Sequence, residues 1–465
     1  MEMSKLTASL GAILTKDFQF GVSTSAFQIE GFESEGGRTP SIWDRFCDSK
    51  LKHLRDPDLG CDHYQYLDED IACLKKLGVS AYRFSISWSR LFPTQNCKPN
   101  KEALTFYQTL SDKLLAANIT PYATLYHWDL PLYIYDQTGG FISRDTAYHF
   151  ADYAEQTVQC LGDKIKHWIT INEPFEHAFF GHVTGEHAPG LKRPWQYFNV
   201  MHNQLLAHGL AVAKIRKIAP SASIGISISL TPIHPFSQKI KDIKAAKRVN
   251  ELINFMPLDA LLKGHYSDEL ISRYKKLIPD SVCDMKIISQ KIDFLGVNNY
   301  QRELAKHSYF TPKLKASVVK RPKVKKDYIA HDVQYTSMGW EVNPCALSEV
   351  LAWLRDYGNP TVIITENGAA FEDNIVQGEV NDTKRINYLH DHIDKVADAM
   401  KLGSRIQGYF VWSLLDNFEW AEGFEKRFGL VHVDHRSKKR TLKMSGKWYA
   451  EFILSCKQYM KYNDE

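Results

Sequence analysis

The chain lacks the features that mark several large classes of protein. Its 465 residues contain eight scattered cysteines but no Cys-x-x-Cys pair, so neither a zinc site nor a disulfide framework is indicated. No apolar run is long enough to cross a bilayer. Basic residues exceed acidic ones by only four, which gives no reason to expect nucleic acid as a partner. We therefore expect a globular protein that acts on a small molecule, with no metal, cofactor or membrane partner.

The N-terminal segment contains one short apolar run, residues 6–14, that could be mistaken for the core of a signal peptide. Lys16 and Asp17 end this run, and the next residues already have the pattern of a strand. A cleavable signal would leave no spacer before the fold. Because we also expect most cysteines to be reduced thiols, the sequence predicts a cytoplasmic protein. Its oligomeric state is left open.

Basic residues concentrate in a single segment between positions 313 and 326. We interpret this segment as a solvated loop, because it lacks the interleaved aromatic residues of a nucleic-acid track. The alternative is a rim that attracts acidic substrates or a surface. The cluster consists of Lys313, Lys315, Lys320, Arg321, Lys323, Lys325 and Lys326.

Eight short, mainly apolar segments alternate with longer segments that have helical periodicity, as buried parallel strands and their connecting helices do. Gly78 follows one helical pattern where a C-cap is expected. This alternation predicts a (β/α)₈ TIM barrel, an α/β fold, with residues 1–465 as a single domain and a long loop after the sixth strand at about 301–334. The predicted strands are 18–23, 81–87, 120–126, 166–171, 223–229, 294–298, 361–365 and 408–412.

Polar and aromatic residues gather where these strands end. In barrels of this kind the active site is formed at the carboxyl ends of the strands, so this distribution indicates an active site. Only the fifth strand contributes little, with His234 at some distance. The residues concerned are Gln28, Glu30, Arg83, His127, Trp128, Asp129, Asn172, Glu173, Asn298, Tyr300, Glu366, Asn367, Trp412, Asp416, Glu419 and Trp420.

Two of these residues, Glu173 and Glu366, end the fourth and seventh strands. A single glutamate at a strand end could equally form an ion pair with a neighbouring helix. Two of them three strands apart face each other across the barrel mouth, as the paired carboxyls of glycoside hydrolysis require. If their carboxyls are about 5–5.5 Å apart, the reaction retains the anomeric configuration.

The two carboxyls need different environments for different roles. We expect Arg83 and a tyrosine hydroxyl to keep Glu366 ionised as the nucleophile. We expect burial and the neighbouring negative charge to keep Glu173 protonated as the acid. After the covalent intermediate forms, Glu173 would serve as the base that activates water.

From residue 18 to about 452 the chain resembles glycoside hydrolase family 1, the β-glucosidase family. The similarity rests on several motifs together, which makes it very specific. These motifs are FQFGVSTSAFQIEG at 18–31, YRFSISWSR at 82–90, LYHWDLP at 125–131, TINEP at 170–174, ITENG at 364–368 and WSLLDNFEW at 412–420.

The resemblance implies a retaining hydrolase of terminal non-reducing β-D-glucosyl residues. It implies that Trp412 forms the platform under the sugar, that Asn172 holds the 2-hydroxyl, and that Tyr300 hydrogen-bonds the nucleophile. Arg83 and Asn298 would support the two carboxyls. The residues that it implies for sugar binding are Gln28, His127, Trp128, Asn172, Trp412, Glu419, Trp420 and Phe428.

The chain departs from the family pattern in two places. Asn299 stands where tyrosine is common, although Tyr300 keeps the functional position, and Phe32 replaces a small residue. Glu176 and His177 follow the acid/base motif, where a polar leaving group could contact them. Glucose, galactose and fucose specificity is not settled by the motifs.

Two alternative functions remain at this point. A 6-phospho-β-glucosidase of the same family is disfavoured, because the charge of Glu419 would repel phosphate and Phe428 replaces a phosphate-binding tyrosine, although Lys426 is present. A non-catalytic carbohydrate-binding barrel is disfavoured, because such relatives usually lack one or both of the glutamates that this chain keeps.

Overall fold

All eight predicted strands are present in a computed structural model of the chain, and they close into a parallel barrel in the order β1–β8 around the ring. The predicted (β/α)₈ fold is thus confirmed. The structure describes residues 2–31, 35–52, 59–95, 98–279, 282–311, 313–319 and 333–464. The barrel strands are β1 Gln19–Ser23, β2 Ala81–Ser85, β3 Thr120–Tyr126, β4 His167–Asn172, β5 Ser223–Ser229, β6 Phe294–Asn298, β7 Val362–Asn367 and β8 Ile406–Trp412.

The helices lie between the strands and cover the outside of the barrel. The helical pattern predicted before Gly78 is the helix Leu67–Leu77, and Gly78 ends it in the left-handed conformation (φ 66°) that glycine adopts without steric cost. The α-helices are Glu2–Gly11, Ala26–Ile29, Ile42–Lys50, Leu67–Leu77, Trp88–Leu91, Lys101–Ala116, Leu132–Thr138, Asp145–Leu161, Pro174–Phe179, Tyr197–Ile218, Ile240–Asn250, Met256–Leu258, Asp268–Tyr274, Val282–Ile288, Cys345–Asp356, Thr383–Lys401 and Met444–Asp464.

Short 3₁₀ and π segments and three small sheets complete the fold. Three short strands, Ile233–Pro235, Glu303–His307 and Ala316–Val318, form one of these sheets, so the start of the predicted loop 301–334 is partly regular. Positions 320–332, which hold Lys320 to Lys326 of the basic cluster, lie outside the described residues, as do Phe32 and Cys97. The remaining segments are Glu35–Gly37, Gly140–Ile142, Phe180–Thr184, Pro194–Gln196, Glu251–Phe255, Asp259–Lys263, Trp420–Glu422, Ile375–Val376, Glu379–Val380, Val431–Val433 and Arg440–Leu442.

The apolar run near the N-terminus belongs to the folded body. Its first part, residues 6–11, lies in the helix Glu2–Gly11, whose Leu6 and Leu10 are buried in the main core, and this helix packs against the C-terminal helix. None of the helices among the described residues combines the length and apolar character that a membrane crossing requires.

The barrel interior is divided into an apolar floor and a polar mouth. The floor is a small cluster to which six of the strands contribute one buried side chain each: Ala81, Tyr122, Ile169, Phe294, Ile363 and Phe410. At the carboxyl end of the strands, polar side chains replace apolar ones. The candidate site therefore lies on the barrel axis, above a packed floor.

Candidate active site

Glu366 occupies its position because β7 carries a bulge. Ile364 pairs with Val297 of β6 and Glu366 pairs with the next residue, Asn298, so Thr365 is extra. Neighbouring side chains of a regular strand point to opposite faces, but this extra residue breaks the alternation. Thr365 and Glu366 can therefore both reach the polar network inside the barrel mouth.

Two donors hold the carboxylate of Glu366. Arg83 Nη1 lies 2.5 Å from Oε1, and the hydroxyl of Tyr300 donates to Oε2 over 2.6 Å. Glu366 and Arg83 are both buried. A buried guanidinium and a phenolic donor both favour a charged carboxylate, so Glu366 is arranged as an anion. Although Asn299 departs from the family pattern, Tyr300 occupies the position expected for the tyrosine that hydrogen-bonds Glu366.

Glu173 is held in a different way at the end of β4. Its backbone lies in the left-handed region (φ 47°), and it precedes Pro174, the first residue of a helix. Asn298 Nδ2 donates to its Oε1 over 2.8 Å. Burial raises the pKa of Glu173 well above its usual range, and the negative charge of Glu366 adds to this effect. Glu173 is therefore arranged to keep its proton.

A chain of hydrogen bonds connects the two carboxyls. Asn172 Oδ1 accepts from Arg83 Nη2 over 2.7 Å and from Asn298 Nδ2 over 3.1 Å. Since Arg83 also binds Glu366 and Asn298 also binds Glu173, one network of five side chains fixes both glutamates. These residues come from β2, β4, β6 and β7, so the closure of the barrel brings them together.

The same network assigns the tautomer of His127. Because Asn172 Oδ1 accepts two hydrogen bonds, its Nδ2 must donate to His127 Nε2, which lies 3.1 Å away. His127 then carries its proton on Nδ1, a buried atom without a partner among the described residues. Burial holds the pKa of His127 well below its usual range. His127 is thus a neutral imidazole with one unused donor.

Glu419 is a second residue with unused hydrogen-bonding capacity. Its Oε2 is buried without a partner among the described residues, and burial raises its pKa to about 8. The surroundings of this carboxyl therefore favour its protonated form. The expectation that the charge of Glu419 would repel phosphate stays a prediction.

Gln28 lies beside the loop that carries Glu419. Its Nε2 donates to Asn417 Oδ1 over 3.0 Å and to the carbonyl of Phe418 over 2.9 Å. Its Oε1 accepts from the hydroxyl of Ser25. Gln28 therefore connects the segment after β1 with the loop after β8.

Aromatic rings surround the polar groups. The ring of His127 stacks with those of Trp412 and Trp420, with a centroid distance of 5.9 Å and nearly parallel planes in each pair. Trp128 packs against Trp420 at 4.7 Å, and its indole N–H donates to the carbonyl of Asn172. Trp128 therefore has no N–H left for a sugar hydroxyl and would contact a sugar only through its ring.

Phe428 is buried in a small cluster with Trp412 and Ala370. Tyr300 and Trp340 pack against this cluster, and their ring centroids are 5.4 Å apart. Trp340 was not predicted from the sequence, because it lies in a segment with no motif. Thr365, whose hydroxyl donates to Asn298 Oδ1, was also missed, because the bulge that turns it inward leaves no trace in the residue pattern.

Other polar residues have supporting positions. Asp416 accepts from Lys443 and Arg427, so it braces the loop after β8. His234 contacts Glu349 and Arg302. His177 is 3% exposed and packs against the rings of Tyr126 and Phe141, and its contact with a leaving group stays a prediction. Among the described residues, no group of three or more His, Cys, Asp or Glu side chains could hold a metal ion.

The fold and this site define a barrel enzyme with two carboxyls in opposed environments. The sequence model of glycosyl hydrolase family 1 matches residues 11–458. The chain belongs to this family, as the motifs predicted.

The similarity to known proteins extends over almost the whole chain. A protein named β-glucosidase A from Acetivibrio thermocellus is 42% identical over 97% of this chain and 99% of its own. A bifunctional β-D-glucosidase/β-D-fucosidase from Bifidobacterium breve is 42% identical over 95% of this chain and 98% of its own. The Thermotoga maritima family 1 β-glucosidase in complex with isofagomine lactam superposes with a TM-score of 0.88 at 40% identity, over 95% and 99% of the two chains. The prediction of a β-glucosidase-type hydrolase is confirmed.

Proposed function

We propose that the chain hydrolyses terminal non-reducing β-D-glucosyl residues by double displacement, with Glu366 as the nucleophile and Glu173 as the acid/base. One observation carries this proposal. The two glutamates share one hydrogen-bond network, but Arg83 and Tyr300 donate to Glu366, whereas burial and a neighbouring charge raise the pKa of Glu173. Glycoside hydrolysis needs these two opposite ionisation states in one site.

The first step transfers the sugar to the protein. A carboxylate oxygen of Glu366 attacks the anomeric carbon, and the bond to the leaving oxygen breaks as Glu173 gives that oxygen its proton. The negative charge of Glu366 is consumed in the new ester bond. The pKa of Glu173, which that charge had helped to raise, then falls.

The second step releases the sugar. Glu173, now a carboxylate, takes a proton from water, whose oxygen attacks the anomeric carbon from the opposite face. The ester bond to Glu366 breaks, and the carboxylate is restored beside Arg83. Two inversions at the same carbon give a product with the original anomeric configuration.

The proposed sugar subsite uses the unsatisfied polar atoms described above. His127 Nδ1 and Glu419 Oε2 are buried without partners among the described residues, a state that sugar hydroxyls would relieve. Asn172, Gln28, Trp128 and Trp420 complete the polar and aromatic wall.

We propose that Trp412 is the platform for the apolar face of the sugar ring. Phe428 would support this platform, because it packs in the same buried cluster as Trp412. Galactosides and fucosides belong in the test, because a relative is named a bifunctional glucosidase/fucosidase.

The decisive experiment compares wild type, Glu173→Ala and Glu366→Ala on aryl β-glycosides and on their 6-phosphates, with the product anomer followed by NMR. We expect β-glucose as the first product of the wild type and no turnover by Glu366→Ala. Azide should restore turnover of Glu366→Ala and give the α-glycosyl azide. Glu173→Ala should lose far more activity on substrates with poor leaving groups than on activated ones.

Other results would indicate a different function for this protein. Turnover of the 6-phosphates alone would indicate a 6-phospho-β-glucosidase. No turnover of either series by the wild type would indicate a carbohydrate-binding barrel. α-Glucose as the first product would exclude the double displacement.

We also propose that the chain is a single domain and that it is cytoplasmic. The first proposal is supported by one continuous core that contains residues from Leu6 to Cys456. The second is supported by the seven described cysteines, all of which are free thiols. One cooperative unfolding transition, and full thiol labelling of the unfolded chain without a reductant, are the expected results.

A further inference from the structure

A third carboxyl, which the double displacement does not use, lies beside the two glutamates. Glu176 is in the first turn of the helix Pro174–Phe179, three residues after Glu173. Glu173 is the N-cap residue of this helix and Glu176 is its third residue, two positions whose side chain and backbone come close together at a helix start. The backbone N–H of Glu176 also donates to the carbonyl of Glu173 over 3.2 Å. The two residues therefore lie within the same turn at the start of the helix.

The contact with β5 shows where the carboxyl of Glu176 points. Ser227 and Ser229 are two residues apart on this strand, so they face the same side of the sheet. Ser227 donates to the hydroxyl of Thr365 inside the barrel over 3.0 Å. Ser229, at the end of the strand, donates to Glu176 Oε1 over 2.9 Å. The carboxyl of Glu176 is thus held over the barrel mouth.

The charges at the mouth act on both carboxyls. Burial raises the pKa of Glu176 to about 7; the hydrogen bond from Ser229 opposes this shift, and the charge of Glu366 adds to it. The pKa of Glu173 is raised by burial first, then by the charges of Glu366 and Glu176, while Asn298 and Arg83 lower it.

Two tyrosines are further titratable groups near this pair. Burial raises the pKa of Tyr300, and the charges of Glu366 and Glu173 add to this. Burial also raises the pKa of Tyr197, with Glu176 among its neighbours. Both phenols therefore stay neutral through the neutral range. Glu176 is thus a group near Glu173 whose charge changes within that range.

We propose that Glu176 is a positioning residue whose carboxylate keeps the transferable proton on Glu173 as the pH rises through neutrality. The inference rests on the proposed role of Glu173 as the acid. When Glu176 ionises, its charge opposes the ionisation of Glu173, so the two carboxyls titrate as an interacting pair. The first step therefore continues at a higher pH than it would if Glu366 were the sole negative charge beside Glu173.

The test is the pH profile of kcat/KM for Glu176→Gln, because this parameter reports the free enzyme and the first step. On phenyl β-D-glucoside, we expect the alkaline limb to move to lower pH by about one unit, so that activity on that limb falls about tenfold. On 2,4-dinitrophenyl β-D-glucoside, whose leaving group needs no proton, we expect little change. The acidic limb should stay in place.

Two further variants separate charge from structure. Ser229→Ala keeps the carboxyl but removes the hydrogen bond that favours its anion, so we expect a smaller shift in the same direction. Glu186→Gln removes an exposed carboxyl from the segment that follows the same helix, and we expect no shift.

The outcomes distinguish this inference from the function on which it rests. An unchanged alkaline limb in Glu176→Gln, or an equal loss on both substrates at every pH, would overturn the role of Glu176. No turnover of either substrate by the wild type would instead overturn the proposed hydrolysis.

Discussion

Glu173 and Glu366 are chemically identical, and their surroundings alone give them different tasks. Arg83 and Tyr300 both donate to Glu366, whereas Asn298 alone among these groups donates to Glu173. Hydrogen bonds to a charged group are worth about 1.5–3 kcal/mol, so a single donor can change the ionisation of a carboxyl. The division of roles therefore depends on a few named contacts.

The contact between Tyr300 and Glu366 gives a direct prediction. Tyr300→Phe removes one donor from the nucleophile while keeping the ring that packs against Trp340 and Phe428. We expect kcat/KM to fall about 10- to 100-fold, which corresponds to the loss of one charge-assisted hydrogen bond. Steady-state kinetics on an aryl β-glucoside measures this change.

The control for Tyr300→Phe is Tyr133→Phe, since the hydroxyl of Tyr133 donates to the carbonyl of Phe92, outside the catalytic network. This control should change kcat/KM less than twofold. Equal losses in both variants would mean that Tyr300 acts on the fold and not on Glu366.

Backbone conformation is also unusual at three proposed site residues. Glu173, Trp128 and Trp420 have positive φ angles of 47°, 78° and 49°, which bulky residues rarely adopt. Such conformations persist only where the surroundings hold them. Their concentration at the barrel mouth is consistent with a site whose side-chain directions are fixed before a substrate binds.

At the scale of elements, a buried ion network ties the loop after β8 to the helices behind it. Lys443, just before the C-terminal helix, donates to Asp416 over 2.6 Å and also to Asp373. Arg385 pairs with Asp373 over 2.8 Å and with Asp382. All five side chains are fully buried, so each charge depends on its partners.

Removing one member of this network should cost stability. Lys443→Met leaves Asp416 and Asp373 with less compensation in the interior, and breaking a buried pair costs about 3–5 kcal/mol. We expect this loss in urea unfolding, together with reduced activity, because Asp416 belongs to the loop that carries Glu419. Lys447→Ala removes an exposed pair with Glu379 and should change stability by less than about 1 kcal/mol. Similar effects of both variants would contradict this account of the network.

At the scale of the whole molecule, several histidines are buried as neutral rings. Burial lowers the pKa of His182, His392 and His435 to about 4. In the unfolded chain the pKa of these histidines returns to about 6.5, so below that pH the unfolded state binds more protons than the folded state. Their contribution to stability is therefore complete above pH 6.5 and decreases as the pH falls toward 4.

This effect can be measured on a single histidine. His392 is fully buried and stacks on Tyr388 at 3.9 Å. As the pH falls from 8 to 5, the neutral burial of His392 should lower the unfolding free energy of the wild type by about 2 kcal/mol. His392→Gln should remove that part of the pH dependence. Urea unfolding across this range checks the difference between the two proteins.

His390→Gln is the control, because His390 lies in the same helix but its side chain is 25% exposed beside Asp391. An identical pH dependence in wild type and His392→Gln would show that this ring does not carry the effect. The raised pKa values of Glu173 and Glu419 act in the opposite direction, so the comparison of variants is more informative than the wild-type curve alone.

The sequence by itself determined the local elements and the family. Strand positions followed from short apolar runs, and three of them, 120–126, 223–229 and 294–298, match the observed bounds. The motifs around Glu173 and Glu366 lie at the ends of β4 and β7, because the same local pattern encodes both the strand and its end.

Tertiary structure decided which side chains meet. Arg83 and Glu366 are 283 residues apart, and their contact depends on how the barrel closes. The bulge at Thr365, the burial of His177 and the contact of Glu176 with Ser229 all depend on register and side-chain direction. Local periodicity does not encode these two properties, because they arise from the packing of all eight strands around one axis.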